Sequence, residues 1–553
     1  MTIRSCFWNM YLLLAINTIA INQTWAQQPQ LSSKRIQDCV SRVCDAIVMV
    51  KIREQNRTAT TGVIVDRTGL VLTHGHHDQT AGTSLDIVLS DGTMHAAKLL
   101  TVLDTYGGPD FSLVKIEEER DWPFARVADQ IPKAGQPCLH FGYPGPSQRD
   151  TEVSSALLRI GQILATTDTS IVADPPVYMG DSGGPLFDLN AQVIGLANSY
   201  SGTGSSRWVS PGILKLNRSE LFGPLATSRE HVLRLREQID RNRKLHRGLP
   251  TVVEERTLSH VSNGIVRITS GSRKAGLGTV VRGDRLIACK RSLAVRSDGK
   301  PCGDLFVSLP NGARVSCCIE KEFPEHDLLI LRADQNIPCD LDFSTKPELR
   351  AGALVTSPIG GTNEARGVMS ADGTFSVPPM EGYVGAFNVV PADRGVKIAV
   401  DEGLRKEMKH PLTWYSFSDG KLRHGMTVLS VNEVAVKSAS AFATATSKLT
   451  AGDLLALKVI NNNGKEEVVM VTAGPSYWKA LDNWGPLSLR RTGLETVFAH
   501  DSPVPNRDIG GPVLLDDGTI AGINIARFHN YQTLALPTSL LTRLIEMIPN
   551  AQE

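Results

Sequence analysis

The chain lacks net charge: 58 basic side chains stand against 57 acidic ones, a formal +1 over 553 residues. No bulk field therefore draws it to nucleic acid or to an anionic membrane. Beyond its N-terminal segment it also lacks any apolar run long enough to span a bilayer, so no stable membrane span is expected there. Its nine cysteines lack a spacing that fixes a pairing, and Cys317 and Cys318 are adjacent. Disulfides and free buried thiols both stay open. With 41% apolar and 21% charged residues, ordered globular structure is expected. The length is too great for one core and implies two to four domains.

The N-terminus has the parts of an export signal. Arg4 supplies a positive start, Tyr11–Ile16 lie in an apolar stretch, and Thr24-Trp-Ala26 offers small residues before Gln27. A signal peptide over 1–26, with a secreted or periplasmic mature chain, is the expectation. Cys6 would leave with the signal.

From about 36 to 224 short apolar runs are broken by Gly, Pro, Asn and Asp. Examples are Ala46–Val50, Gly62–Val65, Leu85–Leu89 and Val193–Ala197. Runs of this length and β-branching predict a mainly β fold of barrel or sandwich type. A charged helix over 226–250 follows, opened by the capping box Thr227-x-x-Glu230. The β pattern then restarts. Gly278–Val281 and Arg285–Ala288 mirror Gly62–Val65 and Leu70–Thr73. Asp327-Leu-Leu-Ile mirrors Asp110-Phe-Ser-Leu, and Asp508-Ile509-Gly-Gly-Pro mirrors Asp181-Ser182-Gly-Gly-Pro. The shared order predicts a duplicated domain. Asp110 and Ser182 are 72 apart and Asp327 and Ile509 are 182 apart, so the second copy has room for an inserted domain. The expected division is 253–376 and 476–548 for the second copy, with 378–474 between them. In the insert, Gly382-Tyr383-Val384-Gly385, the run His424–Val436 and two closing strands resemble the carboxylate-binding loop and framework of a PDZ domain, with Met426 where such domains usually carry Asp.

Two chemistries compete in Thr73-His74-Gly-His76-His77-Asp78. As His74-x-His76-x-Asp78 the run resembles the zinc-ligand stretch of metallo-β-lactamase-type hydrolases, but Gln79 stands where another His is wanted. The serine alternative needs a nucleophile, a base and an orienting carboxylate. Gly180-Asp-Ser182-Gly-Gly-Pro185 supplies an exposed serine on a glycine-rich turn, whose N–H groups around Gly180, Asp181 and Ser182 can converge on an oxyanion. His76 follows a strand and is the candidate base; Asp110 opens a strand and is the candidate orienting carboxylate. His74, His77 and Asp78 then read as solvated polar residues beside the site. In this reading neither metal nor cofactor is called for.

The first domain resembles a chymotrypsin-fold serine protease of the HtrA/Deg type. The family's Thr-Asn-x-His-Val is Thr-His-Gly-His76-His77 here, and its Gly-Asn-Ser-Gly-Gly-Pro is Gly-Asp-Ser182-Gly-Gly-Pro. The resemblance implies two double β-barrel domains, the second degenerate, plus a PDZ-like α+β domain. It implies an endopeptidase acting on protein or peptide substrates after modest apolar side chains. In the second copy only Asp327 of the triad is kept: Lys290-Arg291 stand in the place of His76 and Ile509 in that of Ser182, which reads as a pseudoprotease. Pro176 occupies the position where trypsin-type pockets carry Asp, which disfavours basic substrates, while Asp174 keeps that option open. Asn198, Ser199 and Tyr200 should border the cleft and pair with an extended substrate. Gly382–Gly385 would receive a peptide C-terminus. A latent protease serving as a peptide-binding scaffold is the competing reading, and homo-oligomerisation is left open.

Overall fold

The computed structural model describes residues 31–53, 60–76, 79–104, 110–144, 156–166, 170–178, 180–200, 206–209, 263–271, 273–282, 285–309, 312–359, 363–384, 388–399, 422–474, 487–529 and 532–549. The expected leader over 1–26 and the helix over 226–250 lie outside these residues, as do His77, Asp78 and Gly385.

Helix α1 (Ser33–Val43) opens the described chain, capped by the Ser32 side chain on the Arg35 N–H. Its residues Ile36, Cys39 and Val43 share one buried face. Six strands then close a barrel in the order β1-β2-β3-β6-β5-β4. They are β1 (Ile47–Ile52), β2 (Thr60–Ile64), β3 (Leu70–Thr73), β4 (Ser84–Val88), β5 (Met94–Asp104) and β6 (Asp110–Ile116). β4 alternates buried and half-exposed residues, so one face meets the core; β3 is buried throughout. Val48, Val63, Val71, Ile87 and Val114 fill the interior, each such aliphatic side chain contributing about 1.5–3 kcal/mol by leaving water.

A second closed barrel has the order β10-β11-β12-β9-β8-β7. Its strands are β7 (Pro137–Gly142), β8 (Leu157–Thr166), β9 (Ser170–Ala173), β10 (Pro185–Phe187), β11 (Val193–Tyr200) and β12 (Ser206–Val209). A third, β13-β14-β15-β18-β17-β16, is again closed. It comprises β13 (Ile265–Ser270), β14 (Arg273–Arg282), β15 (Leu286–Lys290), β16 (Leu305–Ser308), β17 (Arg314–Phe323) and β18 (Leu328–Ala333). It repeats the first barrel strand for strand. Gly62 pairs with Thr73 and Gly278 with Cys289; Thr73 pairs with Ser112 and Cys289 with Leu329.

The fourth sheet departs from the expected closed barrel. It is seven-stranded, with the order β20-β19-β29-β30-β31-β28-β21. The strands are β19 (Leu354–Ile359), β20 (Asn363–Val368), β21 (Phe375–Val377), β28 (Leu494–His500), β29 (Pro512–Leu515), β30 (Ile520–His529) and β31 (Gln532–Pro537), and helix α3 (Thr538–Glu546) packs on it. Among the described residues, the isolated bridge Met369–His500 links its two sides. The inserted segment leaves the sheet after β21 and returns before β28, the two strands that pair at its base.

That segment builds its own sheet, β22-β23-β24-β26-β27, with β25 paired to β24. Its elements are β22 (Asn388–Pro391), β23 (Val396–Ala399), β24 (Thr427–Val431), β25 (Val434–Ala435), α2 (Ala439–Thr446), β26 (Leu454–Ile460) and β27 (Glu466–Thr472). A separate core of Val384, Val396, Met426, Leu455, Val471 and neighbours holds it. Met426, anomalous in the sequence, is one of these core residues. The ends of the segment meet, since Tyr383 and Gly474 exchange both N–H to carbonyl bonds at 2.8 Å.

Candidate active site

Asp110 begins β6 and His76 follows β3, neighbouring strands of the first barrel. Antiparallel pairing sets Thr73 opposite Ser112, so the carboxylate lies beside the strand end. One Asp110 oxygen accepts from the Gly75 N–H at 2.6 Å, and the other meets His76 Nδ1. The Asp110 side chain is 7% exposed and that of His76 42% exposed, so the carboxylate is shielded while the imidazole opens to the cleft. His76 Nε2 lies 3.2 Å from Ser182 Oγ. With Nδ1 held by a carboxylate, the tautomer that leaves Nε2 as acceptor is favoured.

Ser182 stands on the turn before β10 of the second barrel. Gly180 and Gly183 have φ of 92° and 80°, left-handed values that side chains disfavour. The turn is pinned to the first barrel twice: the Thr61 N–H donates to the Ser182 carbonyl at 3.1 Å, and the Thr61 hydroxyl donates to the Gly180 carbonyl at 2.8 Å. The N–H groups of Gly180 and Ser182 donate to no described residue.

Beneath the turn, Asp181 is wholly buried. Arg159 of β8 reaches it bidentately, at 2.5 and 3.2 Å, with both side chains 0% exposed. The Tyr178 N–H adds a third bond at 2.7 Å. Burial alone would raise the Asp181 carboxyl, but Arg159 and His140 outweigh it and hold the group below its ordinary value. Burial lowers His140 beside the pair. Gly142 is needed here for space: a Cβ on it would come within 2.0 Å of the Asp181 carboxylate. Sequence reasoning missed Arg159, although a single charge inside the apolar run Leu157-Leu-Arg-Ile160 was the signal.

Three expectations change. His74 is not a solvated loop residue; it is 4% exposed, with its ring centroid 4.2 Å from that of His76. The potential ligand atoms of His74, His76 and Asp110 lie within 4.8 Å of one another. Both Asp110 oxygens already take N–H donors and His76 Nε2 faces Ser182, so the cluster is organised as a hydrogen-bonded relay. Asp174, the candidate for attracting basic substrates, turns its carboxylate to the Gln162 N–H of β8 at 2.6 Å. Asn198, Ser199 and Tyr200 continue β11 past its last pair with β10; Ser199 and Tyr200 pair on the other side with β12, and Asn198 lies at the bulge before them.

The third correction concerns the second copy. Because Gly278 and Cys289 repeat the pairing of Gly62 and Thr73, the residue in register with His76 is Ser292, not Arg291; Lys290 matches His74. A one-turn helix, Arg291–Ala294, starts directly after β15. Ser292 Oγ donates to Asp327 at 2.8 Å, and Lys290 Nζ ion-pairs with the same carboxylate at 2.7 Å, both partners buried. Arg291 instead bonds Glu322. Ile509 does match Ser182: its carbonyl accepts from Leu277 as Ser182 accepts from Thr61. Lys290→Met would leave Asp327 buried without its cation, at a cost of about 3 kcal/mol. A thermal melt should show this loss, and K290M/D327N should recover most of it.

Two six-stranded barrels with a Ser–His–Asp relay across their junction define a trypsin-like serine peptidase domain. The comparisons agree: residues 60–196 match the model of the trypsin-like peptidase domain. A probable periplasmic serine endoprotease DegP-like of Bartonella henselae is 29% identical over 32% of this chain and 33% of its own length. Serine protease HTRA1 of Xenopus tropicalis is 28% identical over 30% of this chain and 39% of its own. Among solved structures, a serine endoprotease from Yersinia pestis covers 81% of this chain at 14% identity with a TM-score of 0.29, too low to compare shapes. The peptidase domain is similar to those of these HtrA-type proteases, and the chain spans about one third of the length of the curated relatives it matches.

Proposed function

We propose that this chain is an exported serine endopeptidase that hydrolyses protein substrates at Ser182. The observation that carries the reading is the continuous relay Asp110–His76–Ser182. Ser182 Oγ attacks the scissile carbonyl while His76 Nε2 takes its proton and then delivers it to the leaving amine. Asp110 holds the imidazole and stabilises its charged form. The N–H groups of Gly180 and Ser182 receive the developing oxyanion. An extended substrate lies along Asn198–Tyr200 as an added strand. Export to the periplasm is supported by the leader-like N-terminus and by the likeness to the probable periplasmic endoprotease of Bartonella.

The second half serves as a catalytically dead partner, since Ile509 cannot attack a carbonyl and Ser292 cannot act as base. The insert receives a peptide C-terminus through its PDZ-like run Gly382–Gly385. Incubating the full-length chain with an unfolded protein tests the central reading. Fragments should accumulate with the wild type, with or without chelator, and none with Ser182→Ala. Chelator-sensitive cleavage that survives Ser182→Ala would return the zinc alternative.

The insert is expected to be dispensable for folding. Its flanks run side by side, with Val377 paired to Leu494 and the Gly493 N–H donating to Pro378. Replacing 379–474 by a short flexible linker should leave a cooperative melt and a β-rich circular dichroism spectrum. A disordered product would contradict this division of the chain.

A further inference from the structure

We propose that Asp501, in the second half of the chain, is a positioning residue for the Ser182 site. It fastens the edge of β8, and through Arg159 on that strand it steadies the Asp181–Ser182 turn. The proposal rests on the Ser182–His76–Asp110 reading and extends it across the boundary between the two halves.

Along 157–162, β8 pairs with β7 on one side. Its pairing with β9 starts only at Ile163. At Gln162 the other edge of β8 is taken by Asp174, and at Leu158 and Ile160 it is covered by the second half. The Leu158 N–H donates to the Ser370 carbonyl at 2.9 Å, and the Ile160 N–H donates to Asp501 Oδ2 at 2.7 Å. Asp501 Oδ1 takes the Val368 N–H of β20 at 2.7 Å. One buried carboxylate thus accepts from a strand of each half. Gly367 leaves it room, since a Cβ there would fall 2.2 Å from Oδ1.

The point of attachment matters. Ile160 and Leu158 flank Arg159, whose guanidinium is the buried counter-charge of Asp181, the residue before the nucleophile. Arg159 and Arg527 both act on Asp501 electrostatically. Burial lifts the Asp501 carboxyl to about 7 against the pull of its N–H donors and of these two cations. Yet both oxygens accept N–H bonds, the pattern of a carboxylate. A buried acceptor of this kind is costly to keep and costly to leave half-satisfied. Opening the clasp frees the edge of β8 and lets Arg159 shift, which loosens the turn that presents Ser182.

The test uses full-length protein carrying Asp501→Asn, which keeps the shape but sets an amide NH₂ against one of the two donors. Two readouts apply: hydrogen exchange of the segment 156–187, and kcat and KM on a peptide ester. Exchange there should quicken by about tenfold or more. The kcat should fall by about tenfold or more with KM within about threefold, because a displaced turn impairs the reaction more than binding. Asp516→Asn is the control. It takes the charge from the 2.6 Å contact of Ser33 with Asp516 elsewhere on the same boundary, where the amide oxygen can still accept, and should leave both readouts unchanged. Wild-type exchange and kcat in Asp501→Asn would overturn the proposal, as would equal losses in Asp516→Asn. If Asp501→Asn does not fold, Gly367→Ala displaces the same carboxylate and is held to the same outcomes. If the wild type itself is inactive, the Ser182 reading fails, while exchange still decides the clasp.

Discussion

Replacing His76 by alanine should lower the rate of peptide cleavage by at least about a thousandfold, because nucleophile and base act as a unit. Without the imidazole, Ser182 keeps a hydroxyl of ordinary acidity, and the Asp110 carboxylate loses the group it orients. His74 provides the contrast. It is buried, its ring stacks at a tilt against His76, and it sits where the second copy has Lys290. It touches the base but does not face Ser182. His74→Ala should therefore cost no more than about tenfold, a packing effect on the base. Steady-state kinetics on one peptide ester, with all variants at the same pH, measures both. Equal losses would mean that His74 shares the proton transfer; reversed losses would place the base two residues earlier.

Arg159→Met should be the most damaging substitution outside the relay. It strips the cation from Asp181, whose carboxylate has no exposure to water. Breaking a buried ion pair from one side costs about 3–5 kcal/mol. The Tyr178 N–H remains as a donor, and burial then pushes the Asp181 carboxyl upward, so the group protonates rather than stay charged. The turn that depends on it relaxes. Denaturant unfolding should register the stability loss, and acylation of Ser182 should fall with it. Arg159→Lys should rescue only in part, since one ammonium cannot reproduce two guanidinium bonds. The double variant R159M/D181N tests the attribution: removing both charges should be less harmful to folding than removing one.

Much of the site was legible because its chemistry is local. Gly180-Asp-Ser182-Gly-Gly-Pro185 encodes a turn and its nucleophile in one stretch, and His76 and Asp110 sit at strand ends that apolar runs announce. The duplication was legible for the same reason. What escaped depended on register and on distant packing. Counting along the chain from the strand end puts Arg291 in the place of His76, whereas ladder pairing fixes Ser292. His74 looked like a solvated loop residue because the run around it is polar, yet it turns inward just past β3. Arg159 stood in view as a charge among aliphatics, but its partner Asp181 is made by the fold. Asp501 gave no signal, since its two donors, Ile160 and Val368, belong to different halves of the chain. The seventh strand of the fourth sheet also could not be read from spacing. The insert was visible, but not that it interrupts the sheet between β21 and β28.

One measurement bears most directly on the central claim: mass-spectrometric mapping of the adduct formed when the full-length chain meets a fluorophosphonate. Such a reagent reports a serine activated by a neighbouring base. The account predicts one adduct per chain, on the peptide containing Ser182, lost in Ser182→Ala and insensitive to chelator. No adduct from folded wild-type chain, or an adduct on a serine of the second half, would contradict it.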